Sequence, residues 1–152
     1  MPSTQRLRIG TQIVTILIVQ GPHAAGHVSG GDLSARFESL VRATGQALSV
    51  CTCGGLRELV ARVRAAKAEG TDFMLLAPGD LTEEARAHPE AGLDDALEAL
   101  ASPYVEVHDD SGAAVERADG RHGAPLATIV INGDLATSYR IALGIALRQL
   151  AA

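Results

Sequence analysis

The first dense apolar run, Gln12 to Val19 (QIVTILIV), is hydrophobic at nearly every position rather than at every second one. That pattern predicts a strand covered on both faces, as in a parallel sheet. Residues 20–31 are rich in Gly, His and Ala and predict a loop. Asp32 is placed to cap a helix, with Leu33, Phe37, Leu40 and Val41 at helical spacing to about Ala43. A second strand follows at Ala47 to Thr52. Gly54-Gly55 then opens a helix over Leu56 to Ala68, with Leu56, Leu59, Val60 and Val63 on one face and Gly70 as C-cap.

The second half repeats this alternation. Phe73 to Leu76 predicts a third strand, and Pro78-Gly79-Asp80 a turn at its end. A helix starts at Thr82, is interrupted by Pro89 and resumes from Gly92 to Leu100. Tyr104 to His108 is a fourth strand, Asp109 to Pro125 a polar loop, and Leu126 to Ile131 a fifth strand. Ser138 to Leu150 closes the chain as an amphipathic helix. Parallel strands need crossovers, so strands alternating with helices imply an α/β fold. The expected form is a flavodoxin-like three-layer sandwich, a five-stranded parallel sheet in the order 2-1-3-4-5. Ligands in such folds bind beyond the carboxyl ends of the strands, here at loops 20–31, 77–82 and 109–124.

Bulk properties narrow the partners. A length of 152 residues predicts a single domain, and a hydrophobic fraction of 47 % with only 3 % aromatics makes Val, Leu, Ile and Ala the core. A net charge of −5 without a basic block argues against nucleic acid and anionic membranes. No apolar run reaches the roughly 20 residues needed to span a bilayer. Arg6 and Arg8 before Ile13 to Val19, with Ala24-Ala25-Gly26 after it, have the outline of a secretory signal. The run is short, β-branched and needed as a strand, so a cytoplasmic protein is expected. Cys51 and Cys53 lie two apart on a strand, too close to bridge readily and too few for a tetrahedral metal site. They read as small buried thiols, and no metal is expected.

Chemistry centres on Glu106 and His108. Two apart at the end of a strand, they project to one face. A carboxylate beside an imidazole can orient it and favour its protonated form, which makes a general acid near neutral pH. A bare Glu-x-His is more often an incidental surface pair; its position at the ligand edge raises its standing. His23 and His27 sit among glycines in the first loop, as an acid, a base, an anion contact or simply two solvated side chains. Ser29-Gly30-Gly31 offers backbone amides to an anion, but no G-x-G-x-x-G or Walker pattern supports nucleotide binding, and no cofactor is expected. Asp109-Asp110 is a possible magnesium pair that more often is only solvated.

The order of these pieces resembles the type II 3-dehydroquinate dehydratase family over about Ile13 to Leu150. The anchors are ILIVQGPH (Ile16 to His23), LLAPGDLT (Leu75 to Thr82), YVEVHDDS (Tyr104 to Ser111) and ATIVINGDLATSYRIAL (Ala127 to Leu143). VEVH is the most specific. The resemblance implies an enolate dehydration of a small-molecule substrate, 3-dehydroquinate to 3-dehydroshikimate. By it, His108 is the general acid, Glu106 orients His108, and the protein forms a homo-oligomer, a trimer or dodecamer.

The same comparison exposes departures. The family's lid carries an Arg and a Tyr-Gly soon after G-P-N, with the Tyr as base; Gly21 to Ser34 contains neither Arg nor Tyr. His23 replaces the Asn of that motif, Ala77 the Asn ending the third strand, and Glu83 the His that follows. The carboxylate-binding Arg has no clear counterpart, although Arg117 and Arg121 are nearby. Loss of a base removes a contribution of ~10²–10⁴-fold. Added negative charge at Glu83 repels an anionic substrate. His27, His23 or Glu83 is a candidate substitute base, and Ala77, Asp109 and Asp110 complete the expected substrate surroundings. The expectation is therefore a dehydratase-like lyase with an altered site and a different substrate, possible in specialised metabolism. The alternatives are a non-catalytic binding or assembly subunit and a weak authentic 3-dehydroquinate dehydratase.

Overall fold

A computed structural model describes residues 14–22, 30–108, 125–131 and 134–151. Five strands form one sheet: β1 (Val14–Gln20), β2 (Gln46–Thr52), β3 (Phe73–Ala77), β4 (Tyr104–His108) and β5 (Ala127–Val130). All neighbouring pairs are parallel and the order is β2-β1-β3-β4-β5, as the alternation predicts. The helices are α1 (Gly30–Ala43), α2 (Leu56–Ala68), α3 (Leu81–Ala87), α4 (Leu93–Ala99) and α5 (Leu135–Ala151). A 3-10 turn at Pro89–Ala91 separates α3 from α4 where Pro89 lacks an amide hydrogen. None of the described helices is long and apolar enough to cross a membrane.

The apolar runs fill two cores, one on each face. Ile16, Ile18, Phe73, Leu75, Val105 and Val107 pack against Phe37 and Val41 of α1 and against Leu135, Tyr139 and Leu143 of α5. The alternate positions Leu17, Val19, Met74, Leu76 and Tyr104 pack against α2, α3 and α4 through Leu59, Val63, Leu81 and Leu97. Each buried Leu, Ile or Val contributes about 1.5–3 kcal/mol, so covering both faces is the main stabilising term. Period-two alternation puts Glu106 and His108 on the α2–α4 face with Tyr104.

Local signals explain several ends. Glu58 in the first turn of α2 accepts the Gly54 amide at 2.9 Å. At the other end Gly70 has φ +78, its amide bonds Lys67 O at 3.2 Å, and Thr71 N bonds Ala66 O at 3.1 Å. This is a Schellman stop, which favours glycine because a Cβ resists that conformation. Two helix starts differ from expectation by more than one residue. α1 begins at Gly30, so position 32 lies inside its first turn and not ahead of it. α5 begins at Leu135, not Ser138, because Asp134 is the cap: its Oδ1 accepts the Thr137 amide at 3.1 Å and its Oδ2 the Thr137 hydroxyl at 2.7 Å.

The carboxyl ends of β1 and β3 are tied through backbone. Gly21 N donates to Ala77 O at 2.8 Å, and Asp80 N donates to Pro22 O at 2.6 Å. A Cβ at Gly21 would lie 2.3 Å from Pro78 O, a backbone atom that cannot turn aside. Gly21→Ala is expected to cost about 1–3 kcal/mol in chemical denaturation. Gly54→Ala, whose Cβ meets only Glu58 Oε1 at 3.9 Å, is the control and is expected within about 0.5 kcal/mol of wild type. Equal stability of the two variants would refute this close approach.

The Asp134 cap predicts a pH dependence. Hydrogen bonds from the Thr137 hydroxyl and then the Thr137 amide hold its carboxyl below the ordinary value of 3.8. A lowered folded-state value means that the cap stabilises above the unfolded value and is lost as pH falls through the folded one. Asp134→Ala is expected to lower the melting temperature at pH 7, with a gap from wild type that shrinks at pH 3. A gap that does not change between the two pH values would remove the cap assignment.

Candidate functional site

The sheet order turns back on itself between β1 and β3, and open α/β sheets bind ligands beyond the carboxyl edge at such a switch point. β4 delivers its polar pair beside that edge. Register pairs Leu76 with Glu106 and Val130 with His108, so β3 and β5 flank the strand on its two sides.

Glu106 and His108 are buried, at 0 % and 1 % exposure. Glu106 Oε1 lies 3.1 Å from His108 Nε2. Removing two such groups from water is costly, and this contact offsets part of that cost by pairing one atom of each. The carboxylate accepts from Nε2–H, which fixes the ring and directs Nδ1 away from it. Nδ1 is buried and has no hydrogen-bond partner among the described residues. The backbone of His108 is held by α5: Ser138 Oγ lies 3.4 Å from His108 O and 3.3 Å from Asp134 O, so one hydroxyl joins the end of β4 to the first turn of the helix.

Other expected site residues are distributed differently. Ala77 is buried with its methyl in the α1–α5 core, the face opposite Glu106 and His108, while its carbonyl accepts Gly21 N. Glu83 is exposed and pairs with Arg86 at 3.2 Å. Its neighbour Thr82 is buried, with a hydroxyl lacking a partner among the described residues. His23, His27, Asp109 and Asp110 lie outside the described residues, as do Arg117 and Arg121. Sequence reasoning passed over Thr82 and the anchoring role of Ser138. The available signal was a hydroxyl on an otherwise apolar helix face: Ser138 falls in line with Leu135, Tyr139, Ala142 and Leu143.

The two thiols are not nucleophile candidates of equal standing. Neither is bridged; Cys51 is half-buried and Cys53 buried. Burial, reinforced by Glu58 and Cys51, pushes the Cys53 thiol from 9.0 up to about 11. It therefore stays protonated and unreactive at neutral pH.

The pair predicts its own stability signature. Glu106→Ala strands the imidazole in the interior and is expected to cost about 3 kcal/mol or more. Glu106→Gln keeps an acceptor for Nε2–H and should cost distinctly less. Urea titration of the two variants checks this; equal losses would mean that the 3.1 Å contact contributes nothing.

Known proteins resemble this chain in sequence and in fold. The family model "Dehydroquinase class II" matches residues 13–147. The 3-dehydroquinate dehydratase of Stutzerimonas stutzeri is 33 % identical, over 92 % of this chain and 99 % of that protein. 3-dehydroquinate dehydratase 1 of Pseudomonas putida is also 33 % identical, over 92 % and 97 %. Among solved structures, the type II dehydroquinase from Propionibacterium acnes superposes with a TM-score of 0.65 at 22 % identity, covering 90 % of this chain and 99 % of that one. A 3-dehydroquinate dehydratase-like protein from Bifidobacterium longum gives 0.60 at 18 %, over 91 % and 98 %. The structural likenesses carry the fold; the family match and the one-third identity over nearly whole chains carry the kinship. The chain belongs to the class II dehydroquinase family.

Proposed function

We propose that this protein is a carbon–oxygen lyase in which His108, oriented by Glu106, is the general acid that protonates a departing hydroxyl. The observation that carries the reading is the buried 3.1 Å contact at the carboxyl end of β4, with Nδ1 left for a substrate. In the imidazolium form Nε2–H is held by Glu106 and Nδ1–H is the proton to be given. Because the ring is 1 % exposed, the substrate must displace whatever lies over it before the proton can move.

The base half departs from the family pattern. Ala77 and Glu83 occupy the positions where the resemblance implies Asn and His, and no Tyr or Arg follows Gly21 before Ser34. His27 is the candidate base, with His23 and Glu83 behind it; Glu83 lies on the solvent side and is engaged with Arg86. His23, Asp109 and Asp110 are the proposed substrate surroundings, whereas Ala77 faces the opposite core and is withdrawn from them. An acidic lining in place of neutral partners suits a less anionic substrate than 3-dehydroquinate. A homo-oligomer, trimeric or dodecameric, is inferred from the family resemblance, and a cytoplasmic setting from the short, β-branched first apolar run, which serves as β1.

A second reading, an authentic 3-dehydroquinate dehydratase, is favoured by the names of the relatives that match over 92 % of the chain. Purified protein at high concentration with 3-dehydroquinate, followed by the enone absorbance of the product, separates the two. Robust turnover supports the second reading; little or none supports a changed substrate. On any substrate that is turned over, His108→Ala is expected to slow the reaction by at least ~10²-fold. An unchanged rate in that variant would remove His108 as the acid.

A further inference from the structure

Residues 82–91, the rest of α3 and the 3-10 turn, join the core residue Leu81 to Gly92 at the start of α4. From 83 to 91 no residue is buried: Ala85 and Ala91 are half-buried and the others exposed. Clefts run along both sides of this segment. Ala85, Arg86 and Pro89 line one of about 160 Å³ against Leu93 and Asp94 of α4. Glu84, His88, Glu90 and Ala91 line another of about 530 Å³ against α2. A segment with so few buried apolar contacts belongs to the low-stability end of a protein and opens on its own.

Both ends of the segment favour opening. Thr82 is its only buried residue, and the Thr82 hydroxyl has no partner among the described residues. A buried hydroxyl without a partner is a cost that the closed state bears and that water removes once the segment lifts. At the far end Gly92 turns the chain at φ +92, a conformation that glycine adopts freely, and its carbonyl accepts Arg64 Nη2 at 3.5 Å. A glycine held by one long hydrogen bond makes a hinge.

The segment also stands at the right edge. α3 follows the carboxyl end of β3, where Leu76 is in register with Glu106. Leu81 belongs to the core on the face onto which Glu106 and His108 project. The imidazole is 1 % exposed, so a route to it must open. We infer that residues 82–91 are a gate, which lifts by local unfolding about Gly92 while Leu81 stays seated and joins the two clefts into one groove leading to His108. The gate is separate from the loop that follows Gly21. The inference rests on the lyase reading above for what the route serves.

Amide exchange of the intact protein, read by mass spectrometry, reports the opening. Residues 83–91 are expected to exchange at least about tenfold faster than α2 and β4, at a rate that low urea leaves unchanged, because a local opening exposes little surface. Thr82→Val keeps the shape and deletes the unmet hydroxyl, and is expected to slow that exchange about tenfold; Thr82→Ser keeps the hydroxyl and is expected within about threefold of wild type. Gly92→Ala, strained in the closed state, is expected to quicken it about fivefold. Carbethoxylation of His108, located by peptide mass spectrometry, should follow the same order: slower in Thr82→Val and faster in Gly92→Ala. Exchange of residues 83–91 only together with α2 and β4 would overturn the gate. So would equal exchange in wild type and Thr82→Val, or carbethoxylation of His108 that neither substitution changes. The lyase reading fails separately: an unchanged rate in His108→Ala, with His108 carbethoxylation still following the segment, removes the acid and leaves the gate.

Discussion

The structure depends on burial of both faces of its central strands. β1 and β3 have apolar side chains above and below, and helices on each side exclude water from both. Once the sheet is sealed this way, any polar side chain on an inner strand must find its partner inside the protein. Glu106 and His108 sit on such a strand, between β3 and β5, and the carboxylate takes up one of the two ring nitrogens. The same exclusion of water that makes the pair expensive also makes its electrostatics strong, since charges interact more strongly where the local dielectric is low.

How far the sequence could be read follows from how local each signal is. α2 and β4 are legible to the residue, because glycines or a polar loop bound each apolar segment. The start of α5 is less legible: Leu135 and Ala136 look like the tail of a loop until Asp134 is seen to cap them. For the site, Glu106 and His108 are legible because period-two spacing is a property of any strand. Thr82 is not. Residues 82 and 83 differ by about 100° around a helix, so one faces inward and the other outward. A charged Glu83 attracts notice, yet the hydroxyl beside it is the one turned into the protein. Ala77 shows the reverse: a position at the ligand edge whose side chain faces the other core.

Family kinship and site chemistry stand on different supports. Kinship is spread over 135 matched positions, from 13 to 147, and survives the loss of any one of them. The chemistry is concentrated in a few atoms, and the half that is legible lies on a rigid strand. Placement on a strand suits the acid role proposed for His108, because a proton must be presented at a fixed distance and angle.

The hydroxyl of Ser138 has a consequence for the order in which the protein is made. It bridges the carbonyl of His108 and the first turn of α5, and β5 flanks β4 only from Ala127 onward. A nascent chain that has reached residue 110 already contains Glu106 and His108 but lacks one flank and the clamp on the strand's end. Synthesis runs from the amino terminus, and a domain settles as its parts emerge. The Glu106–His108 pair is thus assembled late, when the last fifth of the chain leaves the ribosome, and a truncated product would carry the residues without their confinement.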